Sequence, residues 1–163
     1  YKWLHHTFGT NFRMTEMQSA IGRIQLNLLD SWLTIRRSNA EKIWSSAKQF
    51  SCFSLPVIPE NSISAYYKCY IFVNEDKLND GWSRDRIMAE INALGTPCFS
   101  GSCTEIYKEK CFKPFVSVYQ KVLPNALDMG KRALMFLIDP TIDDVKISAT
   151  VHAIDSVGSL ASK

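Results

Sequence analysis

Residues 8–26 read FGTNFRMTEMQSAIGRIQL. Thr15 followed three residues on by Gln18 makes a capping box, and Glu16 suits the positive end of the helix it opens. From there Met17, Ala20, Ile21, Ile24, Leu28, Trp32 and Ile35 recur at three- and four-residue steps, with Leu26, Leu29 and Leu33 flanking them. Ala40, Ile43, Trp44 and Ala47 carry the pattern on, and no proline interrupts it. The spacing predicts one helix over residues 15–50, about 50 Å long at 1.5 Å per residue, with a kink allowed near Asp30 or Ser38. Its apolar arc is wide, which suits a spine covered on two sides or an oligomer interface. Ahead of the helix stand Gly9, Asn11 and Arg13. An amide, a guanidinium fork and a helix N-terminus together can receive a phosphate. Two readings stay open: an anion site, or a turn-capping Asn11 beside a solvated Arg13.

Beyond residue 50 the pattern changes. Pro56, Pro59, Asn61 and several serines predict an extended connection, and YYKCYIFV (66–73) predicts a strand. Ser83 caps a helix running to Leu94, with Gly95 as its stop. TPCFSGS (96–102) predicts a short strand entering a loop, and TEIYKEKCF (104–112) one or two helical turns. Asn125 opens a helix to about Met135, Pro140 ends a short extended stretch, and Thr141 with Asp144 caps a last helix to about Val157. Few strands among many helices predict an α+β fold: a long spine helix, then a small antiparallel sheet with helices packed on it.

Composition narrows the functional classes. With 163 residues, 46% hydrophobic and 21% charged, the chain suffices for one domain with a real core. No apolar run is long enough for a membrane span, and no secretion signal opens the chain, which predicts a cytoplasmic protein. The first residue is Tyr1, which predicts a piece of a longer polypeptide. The net charge of +3 is matched by the excess of six cations over three anions in residues 13–48. That is too sparse for a nucleic-acid stripe, so no nucleic-acid partner is expected. Cys52, Cys69, Cys98, Cys103 and Cys111 follow no metal-ligand spacing, and adjacent rings such as His5 and His6 rarely face one ion. Reduced thiols and no metal site are expected.

Three further residues have the chemistry of a binding site. Lys68 is the one charge in an apolar strand, and alternation would set it opposite Tyr67 and Cys69. It reads as an outward-facing residue or as a cation lining a cleft for an anionic substrate. SGSC (100–103), with Ser102, has the small hydroxyls and glycine of a substrate loop. No histidine lies near Cys103 to activate it, so binding is favoured over covalent catalysis. Glu105 and Tyr107 either point into a site or cap the next turn.

GTNFRMTEMQSAIGRIQL (9–26) with LDSWLTIRRSNA (29–40) resembles the sugar aminotransferase family DegT/DnrJ/EryC1/StrS. AYYKCYIFV (65–73), GWSRDRI (81–87) and GTPCFSGSCTEIYKEKCF (95–112) resemble a branch linked to polysaccharide biosynthesis, and PNALDMGKRALMFLIDPTIDDV (124–145) is similar to the family's closing segment. The resemblance covers nearly all of this chain but only the C-terminal part of the family's length. It implies a pyridoxal 5'-phosphate enzyme of fold type I. Residues 1–14 would then come from the edge of the large cofactor domain, 15–50 would be a connecting helix, and 51–163 the small C-terminal domain.

The resemblance also implies roles. Asn11 would reach the cofactor phosphate of the neighbouring subunit of a homodimer, and Arg13 would line the same shared site. Lys68, Ser102 and Tyr107 would meet the substrate, although many members carry histidine at the place of Lys68 and near Ser102. The lysine that bonds the cofactor lies upstream of this motif in the family, so no catalytic residue is assigned here and the chain alone is expected to be inactive. The implied whole moves an amino group from an amino acid, glutamate by expectation, to a keto-sugar nucleotide. Its rivals are a lysine-less dehydratase or regulatory relative, and a non-catalytic α+β binding module.

Overall fold

The computed structural model describes residues 3–115 and 123–163. The chain divides into two compact units, one drawn from Tyr1–Asp30 and Ser102–Gly130, the other from Ser31–Gly101 and Lys131–Lys163.

The second unit is built on a four-stranded antiparallel sheet. Its strands are β1 (Phe53–Ser54), β2 (Cys69–Val73), β3 (Cys98–Phe99) and β4 (Ala133–Phe136), in spatial order β1-β2-β4-β3. Register follows from alternation. Ile71 faces Leu134, and Phe136 stands between Cys69 and Cys98. Together with Phe53 and Val73 these side chains form the buried face of the sheet. Three helices supply the rest of that core. The helix α2 (Leu29–Ala47) gives Ala40, Ile43, Trp44 and Ala47. From α3 (Arg84–Ala93) come Ile87 and Ile91, and from α5 (Asp144–Ala161) come Ile147, Ile154, Val157 and Ala161. Each isoleucine or valine among them, taken from water, contributes about 1.5–3 kcal/mol. The α+β architecture with helices against a small antiparallel sheet is the expected one.

Four local expectations need correction. The helical run over 15–50 is interrupted: α1 spans Glu16–Leu26, a turn occupies Asn27–Leu28, and α2 begins at Leu29. The Asn27 and Leu28 N–H groups donate to Ile24 and Gln25, three residues back, so the last turn tightens at a residue of poor helix propensity. Neither Asp30 nor Ser38 breaks the chain. Second, the helix from Pro124 ends at Arg132 (α4, Pro124–Arg132), and ALMF (133–136) is a strand bonded to β2 and β3. Pairing on both edges outweighs the helix propensity of Ala, Leu and Met. Third, Phe53–Ser54, read as part of a connection, pairs with β2. Fourth, α5 is capped by Asp143, whose carboxylate accepts from the Lys146 N–H, and it runs on to Ala161. Thr141 instead donates its N–H to Asp139.

The first unit has a different character. No residue of α1 is buried. Met17 (77% exposed), Ile21 and Ile24 (66%) lie along it in the open. Two short 3₁₀ segments, Ile106–Lys108 and Lys110–Phe115, carry the TEIYKEKCF stretch. No helix among the described residues is long and apolar enough to cross a membrane.

Candidate functional site

The strap before α1 is fixed at its beginning and open at its end. Glu109, buried in the 3₁₀ region, accepts the backbone N–H of Trp3 (3.0 Å) and of His5 (2.9 Å). The same carboxylate meets the His5 ring at 3.1 Å, and the Cys111 N–H donates to the His5 carbonyl. Further along, the Phe8 ring stands edge-on to Phe112, 5.3 Å between centroids. His6 turns to Lys110 instead, so the adjacent histidines serve different partners. Among the described residues no group of His, Cys, Asp or Glu could hold a metal ion.

Three residues past Phe8 the strap presents Asn11 and Arg13. Both are exposed and share one surface hollow with Thr10, Phe12, Met14 and Gln18. Thr15 and Gln18 form the expected capping box, with the Thr15 N–H donating to Gln18 Oε1 and the Gln18 N–H to Thr15 Oγ1. The box occupies two donors that would otherwise face an anion, which leaves the N–H groups of Glu16 and Met17 at the helix start. An amide and a guanidinium in one open hollow, beside the positive end of an 11-residue helix, are the donor set an organic phosphate requires. The residues present therefore fit the phosphate of pyridoxal phosphate.

In the same unit Ser102 is exposed, while Tyr107 is half-buried and engaged. Its O–H donates to Glu105 Oε1 at 2.5 Å, and the Lys108 ammonium lies 2.8 Å from the same oxygen. The bond to Glu105 pushes the Tyr107 phenol above its ordinary range, so it stays protonated at neutral pH. With its proton committed, Tyr107 can offer a ligand only acceptor lone pairs.

Lys68 belongs to the other unit. The strand begins at Cys69, and residues 67 and 68 form a bend, so alternation does not extend to them. The Lys68 ammonium lies over the Tyr67 ring, 5.5 Å from its centroid, and not on the opposite side as expected. The substrate-like loop at 100–102 closes on Gly101, whose φ of +82° lies in the left-handed region. A Cβ there would come 2.5 Å from Tyr70 Cε1. Gly101→Ala is expected to destabilise the chain by about 1–2 kcal/mol, read from urea midpoints. Gly95→Ala has a similar φ but open space around it, and should cost less.

Glu109 was not legible in the sequence, because its partners lie more than a hundred residues away. The His5 N–H, then the His5 ring and the Trp3 N–H, hold its carboxyl below the ordinary range. A carboxyl with a lowered folded pKa contributes stability above its unfolded pKa and loses it as pH falls through the folded value. The strap is therefore expected to loosen in acid, seen as faster hydrogen exchange at the Trp3 and His5 amides from about pH 4 downward. Glu109→Gln should show that loosening already at neutral pH; unchanged exchange would contradict the clamp.

The model of the DegT/DnrJ/EryC1/StrS aminotransferase family matches residues 1–155. The chain belongs to that family. Among solved structures it is similar to the aminotransferase from Psychrobacter cryohalolentis, with 44% identity and a TM-score of 0.83, over 98% of this chain and 42% of that one. It is 23% identical to the dTDP-3-amino-3,4,6-trideoxy-alpha-D-glucose transaminase of Streptomyces venezuelae, over 94% of this chain and 38% of that protein. In fold it is also similar to the E. coli GDP-4-keto-6-deoxy-D-mannose-3-dehydratase with bound hydrated PLP, with a TM-score of 0.66 and 23% identity, over 90% of this chain and 36% of that one. This family member thus spans about two-fifths of the length of the relatives it matches. The family is one of aminotransferases.

Proposed function

We propose that this chain is the C-terminal part of a pyridoxal-phosphate-dependent aminotransferase. The whole would act as a cytoplasmic homodimer that moves an amino group from an amino acid, glutamate by preference, to a keto-sugar nucleotide for surface polysaccharide synthesis. The observation that carries the reading is the open hollow of Asn11 and Arg13 ahead of α1, in a chain of this family. The exposed apolar side chains of α1 favour a partner surface beside that hollow.

In this reading Asn11 donates its amide hydrogens, and Arg13 its guanidinium, to the cofactor phosphate of the neighbouring subunit. The Glu16 carboxylate at the same helix end opposes an anion, so the cationic Arg13 is needed there. Bound pyridoxal phosphate supplies the electron sink for amino transfer. Lys68 meets the anionic part of the sugar nucleotide, and Ser102 and Tyr107 orient it. Tyr107 accepts a hydrogen bond from a sugar hydroxyl, since its own proton is held by Glu105. Residues 1–14 would border the large domain, 15–50 would connect, and 51–163 would form the small domain. The lysine that bonds the cofactor would lie upstream, so this chain by itself would not transfer amino groups.

The test uses the longer polypeptide. Nitrogen-15 glutamate and a panel of keto-sugar nucleotides are supplied, and label is sought in the sugar. Labelled amino sugar supports the reading. A deoxygenated sugar without label would instead favour the dehydratase relative, whose fold this chain resembles. Failure to retain pyridoxal phosphate at all would favour a binding module.

A further inference from the structure

The most strained corner of the second unit lies just before β2. Tyr66 has φ +44°, a left-handed conformation that a bulky side chain rarely adopts. Such a residue persists only where its surroundings over-determine it. Here they do. The Tyr66 N–H donates to Ser64 Oγ at 3.1 Å, and its ring stands edge-on to Trp44, 5.3 Å between centroids. Trp44 is itself tied to the strand, its indole N–H donating to the Tyr70 carbonyl at 3.0 Å. The remaining hold comes from α2. Arg36 Nη1 donates to two successive carbonyls, those of Tyr66 (3.2 Å) and Tyr67 (3.4 Å), and Arg37 Nε donates to the Ser64 carbonyl (3.4 Å). Asp139, whose carboxyl Thr141 holds below its ordinary range, lies within electrostatic reach of the Arg36 charge.

Downstream of the corner the chain leaves with Tyr67, 79% exposed, and Lys68 resting over its ring. We infer that Arg36 is a positioning residue for substrate binding: by gripping the Tyr66 and Tyr67 carbonyls it keeps Tyr66 left-handed and so sets the direction in which Tyr67 and Lys68 are presented to a nucleoside diphosphate. The inference rests on the proposed reading of Lys68 as a substrate contact. The chemistry suits the ligand. A ring with a cation above it offers an apolar face for a base and a charge for the diphosphate. Arg36 itself, half-buried with Nη1 shared between the two carbonyls, acts through that pair.

The test is a double-mutant cycle in the longer polypeptide, read by calorimetric titration with thymidine diphosphate and with uridine diphosphate. Lys68→Met is expected to weaken binding about tenfold, the loss of one charge-assisted contact. Arg36→Met should weaken it to a similar extent, and the double variant no further, because the second change acts through the first. Arg36→Lys, which keeps the charge beside Asp139 but lacks the fork, should fall between Arg36→Met and the unchanged protein, and it keeps the test available if Arg36→Met fails to fold. Losses that add across the cycle, or a drop in the unfolding midpoint with unchanged affinity, would show Arg36 to be merely structural and overturn the inference alone. Unchanged affinity in Lys68→Met would overturn the reading of Lys68 and the inference with it.

Discussion

Arg13→Met should weaken the retention of pyridoxal phosphate by the longer enzyme about a hundredfold, and Asn11→Ala about tenfold. A hydrogen bond to a charged group is worth about 1.5–3 kcal/mol, which is a factor of roughly 10 to 150 in affinity. Arg13 stands at the upper end, since it brings a full charge to a dianionic phosphate at a helix end already occupied by Glu16. Asn11 brings a neutral amide. Equilibrium dialysis of the cofactor reads both. Both side chains are exposed and no hydrogen bond or ion pair ties either one among the described residues, so neither substitution should move the unfolding midpoint of the cofactor-free protein. Added salt should narrow the gap between Arg13→Met and the unchanged protein, because screening weakens an exposed charge pair. An unaltered dissociation constant for Arg13→Met would remove it from the phosphate site.

The largest stability effect belongs to the sheet. Phe136 is fully buried on β4 and paired on one side with Cys69 and on the other with Cys98. Phe136→Ala is expected to cost about 3–5 kcal/mol, the sum of lost transfer energy and of a cavity that a doubly bonded strand cannot close. Ile71→Val, one register step along the same face of β2, should cost only about 0.5–1.5 kcal/mol. Urea unfolding with an unchanged slope reads both. A smaller loss at Phe136 than at Ile71 would mean that the order β1-β2-β4-β3 is wrong at its centre. Cys98 gives an independent check. Burial pushes its thiol up to about 12, so a thiol reagent should leave it unmodified in the folded chain at neutral pH.

What was legible in the sequence was local. The capping box at Thr15 and Gln18, the Ser83 cap of α3 and the helical character of α2 each depend on residues three or four apart. The strand at 69–73 was legible from its β-branched and aromatic run. What was missed depends on distant pairing. ALMF is helix-prone by itself and becomes a strand only because β2 and β3 lie on either side of it. The break at Asn27–Leu28 leaves no proline or glycine as a mark. In the candidate site, Asn11 and Arg13 stood out because phosphate chemistry has a recognisable donor set ahead of a helix. Glu109 and Arg36 did not, since both act on backbone groups about thirty to a hundred residues away, and backbone acceptors carry no signature in the side-chain alphabet.

The central claim is that Asn11 and Arg13 serve the active site of the opposite subunit. Co-expression under two affinity tags isolates heterodimers in which one subunit of the longer enzyme carries Asn11→Ala with Arg13→Met and the other lacks the cofactor-bonding lysine. If the grip acts across the interface, the first subunit's lysine and the second's intact Asn11 and Arg13 complete one site, and the heterodimer should recover half the activity of the unchanged dimer. If the grip acts within its own subunit, both sites are broken and the isolated heterodimer is inactive; that result would contradict the account.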